Sequence, residues 1–410
     1  MMPRMKILFI SDVYFPRING VSTSIETFRK ELRALGHTVH LIAPDYQAPQ
    51  GFQNQSSDET DILRVPSRRV PLDPEDRFMS FGWVMQHLDK FRSEQYDVIH
   101  IQTPFVAHYL GLKLSKLLNI PCIETYHTFF EEYLYHYVPF VPKKLMRMVA
   151  TRFSRHQGNS LHGMVVPSHP MLSVLKNYGI TTRAEVIPTG IEPASFVLGD
   201  RESFRKNYNI AQDRPVLLFV GRVAHEKNIG FLLKVLVQVR KEIADILFVI
   251  AGEGPARACL EKDSNDLGLS DNVMFIGYLN RNTELNSCYR SADIFIFSSR
   301  TETQGLVLLE AMAQGVPVVS TAELGTRDVL KEGQGVWIAR EELAAFSEKT
   351  VRILGDADAR KALSVSGRDY AHGWSASKQA ERMVAFYQNV LTPSELDQHQ
   401  FKISPVTGND

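Results

Sequence analysis

Four stretches of this sequence set polar and charged residues where they could act together. In Gly221-Arg222-Val223-Ala224-His225-Glu226-Lys227-Asn228, a guanidinium and an ammonium stand five residues apart across a glycine-led turn. Arg offers a planar fork and Lys a compact charge, so the pair suits the clamping of a diphosphate leaving group. A solvated basic loop has the same composition. The stretch Ser299-Arg300-Thr301-Glu302-Thr303-Gln304-Gly305-Leu306 leads into an apolar helical pattern containing Glu310. Glu302 can accept hydrogen bonds from sugar hydroxyls. Backbone N–H groups of Gln304, Gly305 and Leu306 would open the helix toward an anion, and Glu310 can hold a ribose diol. The plainer alternative is one glutamate complementing the helix dipole and a second on the surface.

The run from Asp12 to Ser22 contains Asn19-Gly20 just before a helical pattern. A glycine there lets backbone N–H groups approach an anion at a helix N-terminus, although an ordinary turn also uses glycine. It is not a G-x-G-x-x-G, so a dinucleotide site has no support. Thr125-Tyr126-His127-Thr128 ends an apolar run and points His127 toward a cleft; a satisfied interior histidine is the alternative.

These loops need a scaffold of strands. Short apolar runs rich in Val and Ile occur at 6–10, 39–43, 62–65, 97–101, 122–126, 163–166 and 185–187. A second series occurs at 216–220, 247–251, 273–276, 294–297 and 316–320. Most are apolar on both faces, the pattern of parallel strands covered on both sides. Helical patterns lie between them, at 24–35 with Gly36 as a stop, 229–241 and 308–313. Strand–helix alternation in two series predicts an α/β fold of two Rossmann-like, doubly wound domains. In open sheets of this kind ligands bind beyond the carboxyl ends of the strands, where all four stretches fall. The expected boundaries are a domain at 1–195, a linker at 196–214, a domain at 215–376, a last helix at 377–392 that packs back on the first domain, and a disordered tail at 393–410.

Composition narrows the function classes. Its 410 residues suffice for two domains, and 44% hydrophobic with 22% charged residues is an ordinary globular balance. With 46 basic and 46 acidic residues the chain is not a general polyanion binder, and no nucleic acid is expected as partner. Its three cysteines, Cys122, Cys259 and Cys288, form no CxxC pair, which fits a reducing cytoplasm and argues against structural zinc. The apolar run before Asp12 is too short for a signal-peptide core, and no stretch reaches the roughly 18 apolar residues of a spanning helix.

Taken together, the motifs resemble those of a known family. Asp12…Pro16…Asn19-Gly20, Thr125-Tyr126-His127-Thr128, Gly221-Arg222…Lys227-Asn228, Gly252-Glu253-Gly254-Pro255, and Glu302 with the run from Glu310 to Val319 appear in order. The chain resembles the retaining GT-B glycosyltransferases (glycosyl transferases group 1), with diacylglycerol glucosyltransferases and phosphatidylinositol mannosyltransferases nearest in pattern. The resemblance implies two domains facing a central cleft, a nucleotide-sugar donor bound by the second and an acceptor by the first. It implies that Gly20 approaches the diphosphate, Arg222 and Lys227 neutralise it, Glu302 holds the donor sugar, Glu310 the ribose, and His127 lines the reacting centre. It implies no metal and no cofactor. Donors of first choice are UDP-glucose, with transfer to a membrane lipid such as diacylglycerol, and then GDP-mannose, with transfer to a lipid or glycan. A nucleotide-sugar epimerase of the same fold and a non-catalytic binder are further alternatives. The chain departs from many relatives in having Asn19-Gly20 for two glycines and Gln304-Gly305 for Phe-Gly.

Between 133 and 184 there is no acidic residue. Within it Leu145, Met146, Val149 and Phe153 recur at helical spacing, with Lys143, Lys144, Arg147 and Arg155 on the remaining surface. A basic amphipathic helix of this kind suits peripheral contact with an anionic membrane at its inner face, extended by Arg64, Arg68 and Arg69. An ordinary helix with its stripe on the core is the alternative.

Overall fold

The computed structural model describes residues 3–46, 60–70, 73–127, 143–281 and 283–392. The tail 393–410 lies outside the described residues. Fifteen strands are described: β1 (Lys6–Ile10), β2 (Thr38–Pro44), β3 (Ile62–Val65), β4 (Ser67–Val70), β5 (Asp73–Met79), β6 (Val98–Ile101), β7 (Cys122–Thr125), β8 (Gly163–Val166), β9 (Ala184–Val186), β10 (Val216–Val220), β11 (Leu247–Ala251), β12 (Val273–Gly277), β13 (Ile294–Phe297), β14 (Val318–Ser320) and β15 (Val336–Ile338). Seven form one parallel sheet in the order β3-β2-β1-β6-β7-β8-β9, and six form another in the order β12-β11-β10-β13-β14-β15. Strands β4 and β5 make an antiparallel hairpin.

The central strands are covered on both faces. All five residues of β10 and of β11 are buried, as are all four of β13, β6, β7 and β8. Burial on both faces makes these segments continuous apolar runs, which is why they read so clearly in the sequence. In each sheet the order reverses once, beside β1 and β6 in the first and beside β10 and β13 in the second. At such a point neighbouring connections depart to opposite faces and leave a crevice.

The helix Gly20–Ala34 begins earlier than its apolar pattern because Asn19 caps it, accepting from Ser22 N–H at 2.8 Å. It ends at Gly36, whose φ of 91° is left-handed; Gly36 N–H reaches Arg33 O at 2.9 Å and His37 N–H reaches Leu32 O at 3.0 Å.

The chain passes between the two halves twice. Ile191 N–H donates to Trp374 O at 2.7 Å and Ala376 N–H donates to Ile191 O at 3.1 Å. The crossings touch at Gly190, where a Cβ would lie 2.3 Å from Ala376 Cα. The last helix, Ala376–Leu391, then buries Ala380, Met383, Val384, Phe386 and Tyr387 against Ile7, Phe9, Ile25 and Phe28 of the first half.

Candidate active site

Each of the four polar stretches sits at the carboxyl end of a strand: three follow β1, β10 and β13, which border the reversals of sheet order, and the His127 stretch follows β7, one strand further along the first sheet. The loop after β10 is held by backbone packing. Gly221 N–H donates to Ala251 O at 3.0 Å and Val223 N–H to Glu253 O at 2.9 Å. Gly252 and Gly254 lie so close beneath it that a Cβ would stand 2.0 Å from Gly221 O and 2.4 Å from Val223 O. Gly252-Glu253-Gly254 is thus the floor that fixes where Arg222 emerges. Arg222 Nη1 lies 3.7 Å from Glu226 Oε1, and Lys227 ends a 3-10 turn that closes at Asn228 in the left-handed region.

Lys227 Nζ is paired with Glu302 Oε1. The two side chains come from the turns that follow β10 and β13, neighbouring strands of the second sheet. Both remain part-exposed. The Glu302 loop is pinned from its own side: Gly325 N–H donates to Glu302 O at 2.9 Å, and a Cβ on Gly325 would stand 1.9 Å from Thr303 O. Gly305, at φ 93°, turns the chain into the helix Leu306–Ala313; Leu308 N–H reaches back to Gly305 O at 3.1 Å, while the N–H groups of Leu306 and Val307 stand ahead of any intrahelical carbonyl.

Glu310 lies within that helix, buried, and is doubly engaged. Tyr289 O–H donates to Oε2 at 2.8 Å, and the Arg281 guanidinium sits on Oε1. Neither partner belongs to a motif singled out in the sequence; they lie 21 and 29 positions away.

From the first sheet, the loop after β1 is anchored by Asp12, whose carboxylate accepts from Ala107 N–H at 3.0 Å and from Thr103 Oγ1 at 2.9 Å. Gly20, the first residue of its helix, is exposed, and no atom lies within 4 Å of where a Cβ would be. The Asn19 side chain is taken by its cap, so it shapes the turn. His127 stands 3.2 Å through Nε2 from Gln102 Oε1, and burial pushes its pKa down to about 4. A neutral imidazole follows, able to hydrogen-bond without carrying charge. The main-chain oxygen of His127 accepts from Thr303 Oγ1 of the opposite half at 3.2 Å. Gln304 is turned away from the Glu302 carboxylate: its carboxamide pairs with the main chain of Thr189.

Two families match end to end along the chain. Residues 18–195 match the family described as Glycosyltransferase Family 4, and residues 200–370 match Glycosyl transferases group 1. An alpha-monoglucosyldiacylglycerol synthase from Streptococcus pneumoniae is 32% identical over 325 residues, covering 77% of this chain and 71% of the relative. A second alpha-monoglucosyldiacylglycerol synthase, from Acholeplasma laidlawii, is 30% identical, covering 77% and 80%. This chain belongs to the glycosyl transferases group 1 family. Its fold is GT-B: sucrose-phosphate synthase from Thermosynechococcus elongatus superposes with a TM-score of 0.75 over 94% of this chain and 99% of that one, at 20% identity. The chain is accordingly a hexosyltransferase.

The expected amphipathic stripe needs correction. The helix Lys143–Gly158 turns Met146, Ala150, Ser154 and Gln157 inward, while Leu145, Met148 and Val149 are 45%, 60% and 52% exposed. Leu145 and Met146 are successive residues, about 100° apart around a helix, so the stripe read from the sequence straddled the edge of the buried face. The exposed apolar trio is flanked by Lys144, Arg147, Arg152 and Arg155, which with Met148 and Thr151 line a shallow groove. The Lys143 side chain lies outside the described residues. Arg64 does not extend this patch. It donates to Phe15 O at 2.8 Å and Pro44 O at 3.3 Å beneath the first loop, and only Arg68 and Arg69 are exposed. Among the described residues no helix is long and apolar enough to cross a membrane.

Proposed function

We propose that this hexosyltransferase moves glucose from UDP-glucose, with retention of the anomeric configuration and without a metal, to a membrane lipid such as diacylglycerol. The observation that carries the lipid reading is the outward face of the helix Lys143–Gly158, with three exposed apolar side chains set among four cations. Apolar area together with basic charge is what an interfacial helix presents to an anionic bilayer. The names of the two synthases point to the same acceptor.

In this reading the donor diphosphate lies between the Gly20 helix terminus and the Arg222–Lys227 turn. Lys227, leaving Glu302 in part, neutralises the charge that grows on the phosphate as the bond from C1 of the sugar to phosphate oxygen breaks. The departing phosphate oxygen takes the proton of the acceptor hydroxyl, and that hydroxyl's oxygen forms the new bond to C1 on the same face. Glu302, freed from Lys227, accepts from the sugar hydroxyls. Neutral His127 hydrogen-bonds at the reacting centre. For a ribose diol to reach Glu310, Arg281 has to give up its place on Oε1. Positioning and charge stabilisation then account for the rate, with no protein nucleophile needed.

The test offers the purified chain UDP-glucose, UDP-galactose or GDP-mannose with diacylglycerol in anionic vesicles, and follows nucleoside diphosphate release and the anomeric configuration of the glycolipid. An α-linked lipid product from UDP-glucose supports the proposal. Product from GDP-mannose would transfer the reading to the mannosyl alternative, and release independent of lipid would remove the lipid acceptor.

A further inference from the structure

Glu302, Thr303 and Gln304 are consecutive, yet their side chains engage three different places. Glu302 takes Lys227 of its own half, Thr303 Oγ1 donates to His127 O, and Gln304 reaches Thr189. The last contact is two-ended. Thr189 N–H donates to Gln304 Oε1 at 2.7 Å, and Gln304 Nε2 donates to Thr189 O at 2.6 Å, so the carboxamide imitates a neighbouring peptide unit. Thr189 Oγ1 donates onward to Ser24 Oγ at 2.7 Å. Gln304, Thr189 and Ser24 are all buried, and each finds its partner in this chain of contacts.

The ends of this chain matter. Ser24 lies in the first turns of the helix that opens at Gly20, and Thr189 directly precedes Gly190, where the two crossings of the chain touch. The Glu302 loop, for its part, is already fixed within the second half by Gly325. Gln304 is therefore not needed to shape that loop; what it adds is a tie from the loop to the first half.

We propose that Gln304 is a positioning residue that holds the two halves in register, setting the separation between the Gly20 helix terminus and Glu302 across the cleft. The proposal rests on the donor-site reading above. It predicts a split between binding and turnover. Of the groups that reading sets on a nucleoside diphosphate, the charged side chains of Arg222, Lys227 and Glu310 belong to the second half, and the first half adds only the Gly20 helix terminus. Transfer needs the first half brought up to it.

The experiment compares the full-length protein with Gln304→Ala and Thr189→Val, measuring UDP affinity by calorimetry and steady-state turnover of UDP-glucose with diacylglycerol vesicles. Loss of both hydrogen bonds in Gln304→Ala should lower kcat by roughly tenfold or more while UDP affinity changes by less than about threefold. Thr189→Val keeps the paired main chain and removes only the onward bond to Ser24, so its kcat should fall by a smaller factor. Gln304→Glu, which cannot donate to Thr189 O, should behave as Gln304→Ala. Wild-type kcat in Gln304→Ala would overturn the proposal, as would UDP affinity falling in step with kcat, which would make Gln304 a donor contact. Should Gln304→Ala fail to fold, Thr189→Val decides by the same split. Wild-type protein that neither binds UDP or GDP nor turns over their sugars would instead overturn the donor-site reading, and this proposal with it.

Discussion

His100 Nδ1 lies 2.7 Å from the hydroxyl of Tyr387, joining the middle of the first sheet to the last helix across 287 positions. Its other nitrogen is held by Thr125 Oγ1 at 2.6 Å. Both rings are fully buried, and burial, followed by the nearness of His127, keeps the His100 pKa well below its usual value. The imidazole is neutral, with one partner for each nitrogen. Tyr387→Phe keeps the packing and strands one ring nitrogen. Unfolding by urea should show a loss of about 1–3 kcal/mol, the usual penalty for a buried polar group left unpaired. An unchanged midpoint would mean that the hydroxyl contributes nothing to docking the helix.

The two sheets were legible because their central strands are buried on both faces and so form unbroken apolar runs. Strand β15 was not, since the short run Val336–Ile338 is hemmed in by Gly333 and Gly335 before it and by the charged Arg340-Glu341-Glu342 after it, and the β4–β5 hairpin, with Arg and Asp along it, carries no apolar period. The site was legible as loops but not as pairings. Glycine turns marked where Lys227 and Glu302 emerge, and neighbouring strands β10 and β13 then bring them together. Arg281 on Glu310, Gln102 beside His127 and Gln304 on Thr189 are contacts across 29, 25 and 115 positions, and no local pattern encodes them. In the helix Lys143–Gly158 the periodicity was readable but its phase was not, because apolar side chains occupy both faces.

Acid should loosen the fold through its buried histidines. In the folded chain the pKa of His127 is pushed down to about 4 by burial, and that of His100 is lowered too. Unfolded, both return to about 6.5. Between those values the unfolded chain binds more protons than the folded one, so stability is complete above pH 6.5 and declines as pH falls toward 4. Thermal melts from pH 7.5 to 4.5 should show a falling midpoint. His127→Gln, which cannot titrate, should flatten part of that slope; an identical slope would mean that His127 is not held neutral.

The Lys227–Glu302 pair predicts different outcomes for activity and for stability. Lys227→Ala should lower turnover of the donor by well over tenfold, since one stabilising donor at a developing anion is worth about 2.7–4 kcal/mol. It also leaves Glu302 without its counter-charge beside a partly closed cleft. Replacing both residues by Ala removes that uncompensated charge, so the double variant should be at least as stable as Lys227→Ala alone while remaining inactive. Strictly additive losses of stability would show that the pair is not coupled, and normal turnover in Lys227→Ala would remove it from the diphosphate clamp.

The outward face of the helix Lys143–Gly158 makes the last prediction. Met148 and Val149 project from the same surface as Lys144, Arg147, Arg152 and Arg155, and neither contributes to the core. Substituting both by Glu therefore leaves the fold alone, deletes apolar contact area and sets two negative charges among the cations. Each basic residue near an anionic bilayer is worth about 1 kcal/mol, so the substitution offsets roughly two of the four. Co-flotation with vesicles containing phosphatidylglycerol should fall by an order of magnitude or more at low salt, with the thermal midpoint unchanged. Charge reversal at Arg147 alone should weaken binding less, because the apolar trio remains. Undiminished flotation of the Met148→Glu, Val149→Glu double variant would assign membrane contact, where it exists, to another surface of the protein.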